Sequence, residues 1–199
     1  MGHTQDYLDE ASEIIDLLDV DAIESMVDAL VFLRDKSRGR LFLLGVGGSA
    51  ANCSHAANDF RKLCGIEAYA PTDNVSELTA RTNDDGWDRV FVDWLKVSRV
   101  GMNDMVLVLS VGGGGHVEQE VSYNLSLAAQ YAKQQGAYVA GILGRHAGYV
   151  AFVADAFVVV PAVNPETITP HAESFQAVIW HLIVSHPALK YVPAKLEGE

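Results

Sequence analysis

Cysteine is scarce: Cys53 and Cys64 are the two in 199 residues. Two thiols build neither a disulfide framework nor a cysteine-based zinc site, and they fit a reducing, cytoplasmic compartment. Basic residues are also few. Lys and Arg number 14 against 26 Asp and Glu, for a formal net charge of -12. No basic cluster offsets that balance, so nucleic acid and anionic membrane surfaces are excluded as main partners. No apolar run reaches the roughly 18 residues that a membrane-spanning helix needs. The start, Met-Gly-His-Thr-Gln-Asp, is polar and acidic and does not read as a signal peptide. Asp6 stands where a myristoylation pattern wants Ser or Thr. Two phosphate-binding signatures are missing: G-x-x-x-x-G-K-[ST], and G-x-G-x-x-G with its acidic follower. P-loop ATP chemistry and nicotinamide binding are therefore not expected.

What is present is an alternation of apolar runs and helical patterns. With hydrophobic content of 49% and charged content of 20%, the chain suits one folded domain, residues 1–199, with a substantial core. Residues 1–38 read as a helical hairpin. Tyr7, Ile14, Ile15, Leu17 and Leu18 recur against Asp9, Glu10 and Glu13 in the first helix. Asp19 or Asp21 caps a second helix, whose apolar face is Ile23, Met26, Val27, Leu30, Val31 and Leu33. Such a hairpin covers a sheet face or makes oligomer contacts. Residues 39–199 then read as five strands separated by helices: from about Leu41, Ile66–Ala70, Asp104–Ser110, Gly136–Gly144 and Ala156–Val160. Helices are expected to about Leu63, over Thr72–Arg81, Val90–Val97, Val117–Gln134, Tyr149–Ala154 and His171–Val184. Thr82–Trp87 and Asn164–Pro170 read as loops, and the tail from Pro187 as irregular. Strands alternating with helices imply an α/β fold, a doubly wound parallel sheet with helices on both faces.

The chain is organised around Leu41 to Asn52, an apolar strand that ends in Gly45-Val46-Gly47-Gly48-Ser49 and runs into a helix. Glycines let a ligand approach backbone N–H groups, and a helix start offers unpaired donors to an anion or a hydroxyl. A second glycine loop, Val111-Gly112-Gly113-Gly114-Gly115-His116, follows the third strand at Ser110. Ligands of open parallel sheets sit beyond such strand ends. Among titratable residues, His55 and Asp59 are four apart on one helix and share a face. Glu173 and His181 are eight apart on the last helix, ~80° apart around it and ~12 Å along it. Two histidines and two carboxylates suit a zinc-type site or an acid–base pair. The plainer readings are a surface ion pair for His55–Asp59 and a satisfied core histidine for His181, beside Trp180.

In order, these pieces resemble a sugar isomerase (SIS) domain, and within it the phosphoheptose isomerase family. The resemblance spans nearly the whole chain. The family pattern G-N-G-G-S then H-x-x-x-E is matched by Gly45–Ser49 and His55–Asp59, its Asn-Asp pair by Asn83-Asp84, and its Gln and His on the last helix by Glu173 and His181. The resemblance implies a flavodoxin-like, SIS-type fold and aldose–ketose isomerisation of a sugar phosphate, sedoheptulose 7-phosphate to a heptose 7-phosphate. It implies one zinc per subunit at His55, Asp59, Glu173 and His181, with Asp59 and His181 moving the proton. Substrate contacts fall on Val46, Gly47, Gly48, Ser49, Asn83, Asp84, Ser110, Val111, Gly112, Gly115 and Glu173. The family's homotetramer implies sites built between subunits. Departures fall on functional positions: Val46 replaces Asn, Asp59 replaces Glu, Glu173 replaces Gln, and the serine-rich phosphate loop keeps only Ser110, with His116 a possible extra donor. A non-catalytic module that binds sugar phosphates, or another small-molecule enzyme in the same cleft, fits those departures as well.

Overall fold

The computed structural model describes residues 2–117 and 120–192. The N-terminal hairpin is α1 (His3–Leu17) and α2 (Val20–Phe32). Asp19 caps α2, its carboxylate accepting from the Ala22 N–H at 3.0 Å, as the sequence predicts. A π turn over Leu33–Ser37 and a left-handed Arg38 lead into β1 (Arg40–Leu44). There follow α3 (Gly48–Cys64), β2 (Glu67–Tyr69), α4 (Val75–Asp84), α5 (Val90–Val97), β3 (Met105–Ser110) and α6 (Tyr123–Gln134). The chain goes on through β4 (Tyr138–Leu143), α7 (Tyr149–Val153), β5 (Ala156–Val159) and α8 (Ile168–Ser185).

All five strands are parallel, in the order β2-β1-β3-β4-β5. Alternation along the strands sorts their side chains into two cores. Leu41, Leu43, Met105, Leu107, Leu109, Ala140 and Ile142 face the layer of α1, α2, α3 and α8. Phe42, Leu44, Val106, Val108, Val139 and Leu143 face α5, α6 and α7 through residues such as Phe91, Leu95, Leu125 and Val150. Both faces are covered, which is why these strands read as unbroken apolar runs. α3 and α8 lie side by side on the first face, burying Ala56 and Phe60 of one and Ile179 and Trp180 of the other.

Four helix bounds differ from expectation by three residues or more. α4 begins at Val75, not Thr72, where the Asn74 side chain caps it by accepting from the Glu77 N–H at 3.2 Å, and runs on through Asp84 to the stop at Gly86, φ 89°. α6 begins at Tyr123, not near Val117. Before it, the Glu120 carboxylate accepts from the backbone N–H groups of His116 and Val117, and Ser122 takes a left-handed conformation at φ 60°. The expected helical residues 118–119 lie outside the described residues. α8 starts three residues early, at Ile168. Pro170 is its third residue, where the missing N–H has no helical partner to lose. No helix among the described residues is long and apolar enough to cross a membrane.

Candidate active site

The strand order reverses between β1 and β3, and ligands of such sheets bind at that point beyond the strand ends. Both glycine loops emerge there. β1 feeds Gly45–Ser49, and Gly47 takes φ 64° so that α3 can begin one residue later. Gly48 makes room for a neighbouring side chain. A Cβ there would collide with the Glu173 carboxylate, which lies against the first residue of α3.

Between the two loops lies a cavity of about 210 Å³. Of the residues expected at substrate, it is lined by Val46, Ser49, Ser110, Val111 and Gly112. It is also lined by Val121, Ser122 and Thr169, which the sequence reading did not single out. The loop was expected to have lost its hydroxyls apart from Ser110. Ser122, at the start of α6, and Thr169, in the first turn of α8, are two further hydroxyl-bearing residues in the cavity wall. A serine directly before a helical run is a cap signal, but placing the helix start at Val117 hid it. Gly115 is turned to the helix behind, its carbonyl accepting from the Ser126 hydroxyl at 2.6 Å. The His116 ring bonds the Ala147 carbonyl at 2.9 Å and so closes the loop onto the turn after β4.

The titratable residues gather further along the same two helices, α3 and α8, whose first turns line the cavity. His55 and Asp59 on α3 meet His181 on α8, with one donor atom from each within 4.8 Å of the others. His55 Nε2 lies 3.7 Å from Asp59 Oδ2, and the rings of His55 and His181 are 5.3 Å apart, edge to face. Asp59 is largely covered, while both imidazoles reach the surface. The other Asp59 oxygen accepts from the Asn58 amide at 2.9 Å. His181 Nδ1 donates to the Ala177 carbonyl at 2.7 Å. That bond fixes the tautomer and leaves Nε2 with a free lone pair, the form a metal or a proton requires. Two imidazoles and a carboxylate match zinc. Tetrahedral bonds of about 2.0–2.1 Å place donor atoms about 3.3 Å apart, so small side-chain rotations complete the set.

The other site residues stand apart. Glu173 is outside the three-residue donor set, two helical turns before His181 and over Gly48. Asn83 and Asp84 sit exposed at the end of α4, where the Asn83 amide donates to Asp84 at 2.7 Å.

No protein-family model matches the chain. A phosphoheptose isomerase from Citrifermentans bemidjiense is 30% identical over 167 residues, which cover 81% of this chain and 80% of that relative. The chain belongs to the phosphoheptose isomerase family. Membership makes the protein a sugar-phosphate isomerase in kind. The lincomycin biosynthesis protein LmbN of Streptomyces lincolnensis is 32% identical over 159 residues, 74% of this chain; the match spans 56% of LmbN, about half of that longer protein. Among solved structures, a phosphoheptose isomerase of Neisseria gonorrhoeae superposes with a TM-score of 0.76 at 24% identity, covering 92% of each chain. That likeness supports the flavodoxin-like sugar isomerase fold, with its leading hairpin, for this phosphoheptose isomerase-family chain.

Proposed function

We propose that the protein interconverts a ketose and an aldose phosphate, sedoheptulose 7-phosphate and a heptose 7-phosphate, with one zinc ion per subunit. The carrying observation is the His55–Asp59–His181 donor set, drawn from the two helices whose first turns line the switch-point cavity. In this reading the hydroxyls of Ser49, Ser110, Ser122 and Thr169, with backbone from the glycine loops, hold the phosphate end. Asp59 takes the proton next to the carbonyl, and His181 is its acid–base partner in the step in which the imidazole's one free nitrogen, Nε2, is not held by the metal. A bound zinc would supply Lewis acidity to the substrate oxygens. Glu173, over Gly48, faces the sugar and not the metal.

Both imidazoles are exposed, and so are Val178 and Leu182 on the same stretch of α8 and Leu8 and Ile15 on α1. Those features support a tetramer whose neighbouring subunits complete each site, bringing Asn83 and Asp84 to substrate. Two unpaired buried thiols, Cys53 and Cys64, support a reducing compartment. The non-catalytic alternative rests on the lost serines and on Val46; Ser122 and Thr169 in the cavity wall count against the first ground, and Val46 still lines the cavity.

The experiment is zinc analysis of purified protein together with an isomerisation assay on sedoheptulose 7-phosphate. Wild type should carry stoichiometric zinc and turn over. Asp59→Asn should fold normally and lose turnover, and His181→Gln should lose zinc. Sugar-phosphate binding without turnover in the zinc-loaded wild type would establish the binding-module reading instead.

A further inference from the structure

Each of the two helices at the site sets its own residues: α3 spaces His55 from Asp59 by one turn, and α8 places His181. What neither helix sets is the separation between them. Cys64 crosses that gap at the end of α3, its thiol donating to the Val184 carbonyl at 3.5 Å; beside the site, one side chain makes three hydrogen bonds across it. Asn52, on the same face of α3 as His55 and Asp59, donates through Nδ2 to the Glu173 carbonyl at 2.9 Å and to Gln176 Oε1 at 3.3 Å. Its Oδ1 accepts from Trp180 Nε1 at 3.5 Å. Residues 173, 176 and 180 form one stripe along two turns of α8.

The chemistry of the partners dictates the orientation of the amide. A carbonyl only accepts and an indole N–H only donates, so Asn52 has one arrangement. That arrangement obliges Gln176 to present its oxygen, and Gln176 Nε2 is left buried with no partner. An interface selected for packing alone would be expected to fill this place with apolar groups, which carry no such penalty. The third partner leads to the site. The Trp180 indole is fully buried, stacks against His181 with centroids 3.5 Å apart, and meets the His55 ring edge to face at 4.7 Å.

We propose that Asn52 is a positioning residue: it locks α3 to α8 and, through Trp180, sets His55 and Asp59 at coordinating distance from His181. The proposal rests on the metal reading of those three residues. The test uses Asn52→Leu, close in size and without polar atoms, and Trp180→Phe, which keeps an aromatic ring and removes the N–H. Zinc affinity is measured by chelator competition, ligand geometry by the absorption bands of the cobalt-loaded protein, and fold by melting the metal-free protein. Zinc affinity per folded molecule should fall about tenfold or more in Asn52→Leu and about threefold in Trp180→Phe, with altered cobalt bands in both. A role confined to stability would lower the melting temperature and leave affinity and bands at their wild-type values; that result overturns the proposal. Should Asn52→Leu fail to fold, Trp180→Phe decides by the same criteria. His181→Gln serves as the control. If it retains zinc, the metal reading itself fails and the proposal with it; if it loses zinc while Asn52→Leu and Trp180→Phe do not, only the positioning role fails.

Discussion

Glu173 is the residue at which charge and geometry pull the site in different directions. A carboxylate two turns from His181 adds negative charge near the site proposed for zinc, yet it lies over Gly48 and outside the donor set. Thr169, one turn earlier on α8, lines the cavity assigned to the phosphate. A fixed carboxylate this close to a dianion repels it through partly screened solvent. Glu173→Gln should therefore retain full zinc stoichiometry and lower the KM for sedoheptulose 7-phosphate roughly threefold, a residue-level effect of about 0.6 kcal/mol, typical of a solvent-screened charge pair. Zinc analysis and steady-state kinetics check it together. Loss of zinc would return Glu173 to the ligand set that the family pattern implies. This residue also marks what could be read before the structure. The pairing of His55 with Asp59 follows from a spacing of four. Whether Glu173 could join His181 was open, because ~12 Å of helical rise between them needed a long reach that sequence cannot measure.

At the scale of elements, the strands were the legible part and the helix starts the illegible one. Strands such as Met105–Ser110 are buried on both faces, so their apolar runs announce them. The starts of α6 and α8 depend instead on local features that hydrophobic periodicity does not announce: a Glu120 carboxylate gathering the N–H groups of residues 116 and 117, and a proline admitted in a first turn. Ser122 and Thr169 sit at those two starts, which is why the cavity's added hydroxyls were missed. The opposite end of the sheet shows how strongly one side chain can hold an element. Asp104, 6% exposed, accepts from the Arg40 N–H at 2.9 Å, from the Arg40 guanidinium at 2.8 and 3.1 Å, and from the Gly101 N–H at 3.0 Å. It ties the entry of β1 to the turn before β3. Asp104→Ala leaves the part-buried N–H groups of Arg40 and Gly101 and one edge of the Arg40 guanidinium without their acceptor, and should cost about 1–3 kcal/mol. Urea titration should show a lower midpoint with an unchanged slope. A cost below about 0.5 kcal/mol would mean that water replaces the carboxylate without penalty.

At the scale of the whole molecule, the N-terminal hairpin joins the catalytic half through one acidic residue. Glu10 of α1 accepts from Asn164 Nδ2 at 2.6 Å, the Thr167 hydroxyl at 2.7 Å and His171 Nε2 at 2.9 Å. Tyr7 stacks on His171, with ring centroids 4.1 Å apart. This cluster pins α1 to the start of α8, two residues before Glu173. Hydrogen bonding from Asn164, then Thr167 and His171, lowers the Glu10 carboxyl from 4.5 to about 2. A folded-state value below the unfolded one means that the folded state binds fewer protons. The stabilisation is therefore fully present above pH 4.5 and is lost as pH falls from 4.5 toward 2. Glu10→Gln removes the charge but keeps an acceptor. At pH 7 the variant should melt below wild type; the gap should narrow as pH falls from 4.5 and close near pH 2. Melting curves of both proteins across that range measure the gap directly. A gap that persists undiminished at the acid end would mean that Glu10 holds α1 by packing and not by its charge, and the hairpin would then release from α8 independently of pH.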